Sequence, residues 1–192
     1  SAEPLLYIGG KMEKGYRFSF GPWNIHTGAD PFGPPVRDEF SFDEKLDTAV
    51  NLKFDGIQFH DDDIVDVGLS VSEIEKKARD IKKKLDDRNL KAEFVAPRMW
   101  EHPMTVDGTV TSNNPQARKY AIERTKKAVD IANIIGTKNL VLWPAREGTY
   151  QRESKDAKIA IDRFVEYLNS ILEYDKNIRV LGEMKPNEPM DA

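Results

Sequence analysis

A chain of 192 residues is long enough to bury one substantial core, and its 32% charged residues, both signs interspersed, leave a net charge of only −4. That balance speaks against nucleic-acid binding through a broad basic face and leaves room for a small anionic or sugar ligand. Cysteine is absent, which excludes disulfides, a thiolate nucleophile and cysteine metal clusters; any metal would be held by carboxylates and imidazoles, donors suited to magnesium or manganese, with cobalt as a borderline case.

No apolar run is long enough to cross a bilayer, and the opening SAEPLLYIGG lacks a basic stretch followed by a hydrophobic one, so a cytoplasmic protein without a membrane partner is expected. The start on Ser-Ala rather than Met suggests a trimmed or tagged product.

In chain order, a β-like run at Tyr16 to Phe20 leads into GPWNIHTGADPFGPP, whose Gly and Pro content marks a loop. Ser41 with Glu44 three residues on is a capping-box pattern, and Phe42, Leu46, Ala49 and Val50 follow at helical spacing. GIQFHDDD, residues 56 to 63, is a second strand that stops at a histidine followed by three aspartates. A second helix opens at Ser70, with Glu73 three residues later and a stripe of Ile74, Ala78, Ile81 and Leu85.

KAEFVAP, 91 to 97, is the third strand. The third helix has Asn114 and Pro115 at its start and Gly136 at its end, with Ala117, Ala121, Ala128, Ala132 and Ile135 inward. Leu140 to Trp143 is a fourth strand. Ala157, Ala160, Ile161, Phe164, Leu168, Ile171 and Leu172 mark a fourth helix, and Arg179 to Glu183 is a fifth strand. Such alternation means a parallel sheet covered by helices.

A doubly wound sheet would normally show a glycine-rich phosphate loop after an early strand, and here Gly-Pro-Trp-Asn follows instead. In a (β/α)8 barrel of the TIM type, catalytic groups come from the C-terminal ends of several strands. Those ends read Trp23, His60 with Asp63, Trp100, Trp143, and Glu183 with Lys185. Each has a plain alternative: core or lid packing for the tryptophans, mutual pairing for Glu183 and Lys185, a turn or cap role for Asp62 or Asp63. His26 and His102 are expected to serve loop hydrogen bonds.

FSFGPW (18 to 23), DPFG (30 to 33), FHDDD (59 to 63), the Trp100-Glu101-His102-Pro103 run, Trp143 with REG (146 to 148), and EMKPNEP (183 to 189) occur in one order along nearly the whole chain. In this the chain resembles the N-terminal half of the xylose isomerase family, metal-dependent aldose-ketose isomerases. FHDDD with the E-x-K-P-N-E-P run is the specific part.

The resemblance implies that His60 and Asp63 act together in opening the cyclic sugar, and that Lys185 polarises the carbonyl. It implies that Glu183 is a metal ligand, one partial site of the two divalent cations (magnesium, manganese or cobalt) in a complete enzyme. Trp23, Trp100 and Trp143 match an apolar wall around a hydride shift, with Trp100 where phenylalanine is usual. Phe32 matches a residue that reaches into a neighbouring subunit's site, which implies a homo-oligomer acting on an aldose or ketose sugar.

The departures are Pro144 and Ala145 after Trp143, Met184 before Lys185, and Ala96, Pro97 and Arg98 where small polar residues are usual. These bear on sugar specificity. Residues 1–192 are expected to form an incomplete barrel of roughly five strands and four helices, against about 250 residues for a whole one. Most metal ligands of the resembled family would lie beyond the end, so the chain alone is expected to be an inactive fragment. Another metal-dependent sugar isomerase or epimerase, an abasic-site endonuclease, a sugar-binding module and a self-associating half-barrel are the alternatives.

Overall fold

The structure, a computed structural model, describes residues 15–28, 34–149 and 151–184. Five strands form one sheet: β1 Ser19–Phe20, β2 Gly56–His60, β3 Lys91–Ala96, β4 Asn139–Leu142 and β5 Arg179–Gly182. Each pairs in parallel with the next, in the order β1-β2-β3-β4-β5. A doubly wound sheet reverses its order partway, whereas right-handed crossovers between successive neighbours place every helix on the same side. The helices are α1 Phe42–Asn51, the single turn α2 Asp61–Ile64, α3 Val71–Asp87, α4 Pro115–Ile135 and α5 Ala157–Tyr174. With α3 packed on α4 and α4 on α5, the chain builds a partial TIM barrel, the (β/α)8 wall carried through five strands.

The helix starts are local chemistry. Ser41 N–H donates to Glu44 Oε2 at 2.7 Å while Ser41 Oγ accepts from Glu44 N–H, and Ser70 and Glu73 repeat the pattern at the head of α3. Asn114 accepts from Gln116 N–H at 2.9 Å and Asp156 from Ile159 N–H at 2.9 Å, which caps α4 and α5. Gly136 closes α4 at φ 91°, a left-handed conformation that glycine adopts without a Cβ penalty.

Between sheet and helices, Ile57, Phe59, Val95 and Leu140 meet Leu46, Ala49, Ala78, Leu85, Ala121, Ala128, Ala132 and Ile171 in one buried cluster. The expected α4 stripe is buried throughout. In α1, Val50 turns outward, and in α5, Ile161 and Leu172 do the same. Tyr167 is buried instead, at 3% exposure, because its hydroxyl shares a 2.7 Å hydrogen bond with Thr125 Oγ1 inside the core. β1 is shorter than expected: Phe18 is held by Asp55, which accepts its N–H and donates back to its carbonyl, so ladder pairing begins only at Ser19.

Candidate functional site

β2 runs straight into α2, so HDDD forms a corner between strand and helix at the C-terminal rim of the sheet. The three aspartates leave that corner in different directions. Asp61 is buried and bound side-on by Arg124 of α4, Nε to Oδ2 at 2.7 Å and Nη2 to Oδ1 at 2.8 Å. Asp61 is thus a core carboxylate, and it is there because it is fully paired. Burial works against the Arg124 charge, but its bonds to Asp61 more than offset that and raise its pKa.

Asp62 accepts from Arg98 Nε at 2.9 Å and from Arg124 Nη2 at 3.2 Å. Asp63 Oδ2 accepts the backbone N–H of His60 at 2.8 Å and lies 3.3 Å from His60 Nδ1. The nearest partner of that Nδ1 is Arg98, whose Nη2 stands 2.8 Å away. Arg98 is pulled down in pKa by burial and raised more strongly by Asp62, Asp63 and Glu101, so its charge is secure.

Around His60 the aromatic residues expected at the strand ends come together. Trp23, in a 3₁₀ turn just after β1, lies 4.4 Å from the His60 ring, centroid to centroid. Trp100, past β3, stands edge-on to His60 at 5.4 Å, and Trp143, past β4, stands edge-on to Trp100 at 4.6 Å. The ends of β1 to β4 thus share one wall, Trp23–His60–Trp100–Trp143. The loops behind it are tied by Glu147, whose carboxylate accepts backbone N–H groups of Thr109, Val110 and Thr111 at 2.8–3.2 Å. Beside Trp23 opens a cleft of about 460 Å³, also lined by Pro22, Phe40, Phe42 and Asp63, within the usual size of small-molecule sites.

Glu183 follows β5, its N–H donating to the Leu142 carbonyl at 2.9 Å and its residue exposed beside an apolar groove of Phe164, Leu168, Leu172 and Met184. Among the described residues no group of three or more His, Asp or Glu side chains is set to hold a metal ion, and Glu183 is a single oxygen donor. Lys185 and Phe32 lie outside the described residues. His26 and His102 take the expected loop roles, each Nδ1 accepting a backbone N–H, from Gly28 at 2.9 Å and from Met104 at 3.1 Å.

The site residues not foreseen from sequence are Asp61 and Arg124; Arg98 is marked there only as a departure bearing on sugar specificity, without its contact to His60. Arg124 had a signal: it falls beside the inward stripe of α4, three residues past Ala121, where a charge calls for a buried partner.

A family profile described as xylose isomerase-like TIM barrel matches residues 46–191. The chain belongs to that family. Among solved structures, it is similar to a D-tagatose 3-epimerase-like protein (TM-score 0.62, 14% identity, covering 92% of this chain and 55% of the other). It is also similar to D-allulose 3-epimerase from Methylomonas sp. in complex with D-allulose (0.59, 16%, 88% and 51%) and to a xylose isomerase domain protein from Planctomyces limnophilus (0.51, 16%, 72% and 48%). At such identities the likeness is one of fold, and the chain spans about half the length of these structures. No helix among the described residues is long and apolar enough to cross a membrane.

Proposed function

We propose that this chain forms the β1-to-β5 side of a sugar site in an isomerase or epimerase that rearranges a carbon next to a sugar carbonyl. The observation that carries this is the wall Trp23–His60–Trp100–Trp143, in which two indoles flank one imidazole and a third continues the row, at successive strand ends. Aromatic faces suit the C–H surface of a sugar and keep water out, while the imidazole offers a polar contact to a sugar oxygen.

A ketose 3-epimerisation, in which a proton leaves and returns at the carbon beside the carbonyl, is favoured over the aldose-ketose hydride shift. The hydride reading leaned on His60 and Asp63 as a ring-opening pair, yet Arg98 lies closer to His60 Nδ1 than Asp63 does. Two of the similar structures are named for ketose 3-epimerases. A divalent cation would polarise the carbonyl in such a reaction. Glu183 alone does not hold one.

The test uses the tryptophans. The chain has three, all in the wall, so intrinsic fluorescence reports on this site alone. Titration with D-allulose and D-tagatose should give a saturable change, weakened several-fold in Trp143→Phe. A flat response to both ketoses and to D-xylose would overturn the sugar site. If D-xylose alone saturates, the hydride reading replaces the epimerase one.

A further inference from the structure

We infer that Arg98 is a positioning residue that keeps the proton of His60 on Nε2, so that the ring presents an N–H donor to a sugar oxygen and not a base. The part that concerns the sugar rests on the proposed function; the tautomer does not.

A guanidinium has only donors, so the imidazole nitrogen it meets at 2.8 Å must accept. Nδ1 therefore carries no proton, and the neutral ring carries its proton on Nε2. Asp63 asks for the opposite. Its Oδ2 lies 3.3 Å from the same Nδ1, and a carboxylate there would draw the proton to Nδ1. Distance decides for the arginine, 2.8 Å against 3.3 Å.

Arg98 is fixed from several sides. Nε binds Asp62 at 2.9 Å, Nη1 binds Glu101 at 3.2 Å, and Cζ lies 5.8 Å from the centroid of the Trp100 ring. Its backbone N–H donates to the buried Asp61 at 2.9 Å. At the other end of the imidazole, Nε2 has no hydrogen-bond partner among the described residues, where no buried side-chain polar atom is left unpaired. The His60 side chain keeps 14% of its surface open, and a ligand oxygen at Nε2 could accept its proton.

Nitrogen-15 NMR of the free protein reads the tautomer directly, with the His60 signal assigned by its loss in His60→Asn. Wild type should show His60 protonated at Nε2. Arg98→Met should move the proton to Nδ1, since Asp63 is then the remaining partner, while Arg98→Lys keeps it on Nε2 and the signals of His26 and His102 stay put. Protonation at Nδ1 in wild type, or an unchanged tautomer in folded Arg98→Met, overturns the inference; the wild-type spectrum decides it even if the variant does not fold. Sugar binding in Arg98→Met should weaken about tenfold, the loss of one well-placed donor. A wild type that shows the Nε2 tautomer but binds no sugar would overturn the proposed function alone.

Discussion

Arg124 and Asp61 form a two-bond, side-on ion pair that joins the middle of α4 to the corner after β2, with Asp61 0% and Arg124 8% exposed. Asp61 also accepts the backbone N–H of Arg98 and of Asp62, at 2.9 and 3.0 Å. One carboxylate thus anchors the end of β2, the segment after β3 and a helix behind both. It serves as the footing of the His60 wall.

Breaking such a pair from one side strands a buried charge, which costs far more than the pair contributes as a whole. Arg124→Met should destabilise the fold by about 3–5 kcal/mol. Adding Asp61→Leu to that variant should recover part of the loss, because no charge is then left unpaired. Urea unfolding midpoints of the two single variants and the double variant measure this. Simple additivity would show that the two side chains do not act as a pair.

The fold was legible in the sequence where local rules and burial agree. Ser41 with Glu44, Ser70 with Glu73, and Pro115 with Gly136 marked helix ends within a residue or so of where they fall, because caps are made by neighbours in the chain. The strand ends that carry Trp23, His60, Trp100 and Trp143 were also visible, and the structure joins them into one wall. What sequence did not show was the pairing of distant charges. Asp61 and Arg124 are 63 residues apart, and Arg98 reaches His60 across 38; neither carries a local mark of its partner. The burial of Tyr167 was hidden for the same reason, since its partner Thr125 belongs to another helix.

Gly136 ends α4 with φ 91°, and a Cβ there would lie 3.1 Å from Lys82 Cε, a flexible chain end that can move aside. The cost of Gly136→Ala therefore lies in the backbone, about 1–2 kcal/mol for a left-handed alanine. Thermal unfolding should fall by roughly 2–8 °C, at about 2–4 °C per kcal/mol for a chain of this size. Gly136→Asn should lose less, because asparagine tolerates that conformation better. Equal losses for Ala and Asn would mean that contact with Lys82 dominates.

Two tyrosines predict how the protein fails in alkali. Burial pushes the Tyr167 phenol well above the usual 10.0, its bond to Thr125 offsetting only part of this. Burial likewise raises Tyr174, to about 12, helped by the hydrogen bond it donates to Asp130 at 2.9 Å. In both, the folded chain favours the neutral phenol, so the unfolded chain releases its protons first. The resulting stability is whole below pH 10 and is lost as pH rises toward and past 12. Tyr174 is 46% exposed and solvent screening leaves it a minor share, so Tyr167 should dominate. Each pH unit above 10 should remove about 1.4 kcal/mol through that one buried phenol. Urea unfolding of wild type and Tyr167→Phe between pH 8 and 11 separates this from lysine titration, which both share. Wild type should lose stability more steeply above pH 10, and parallel curves would remove Tyr167 as the cause.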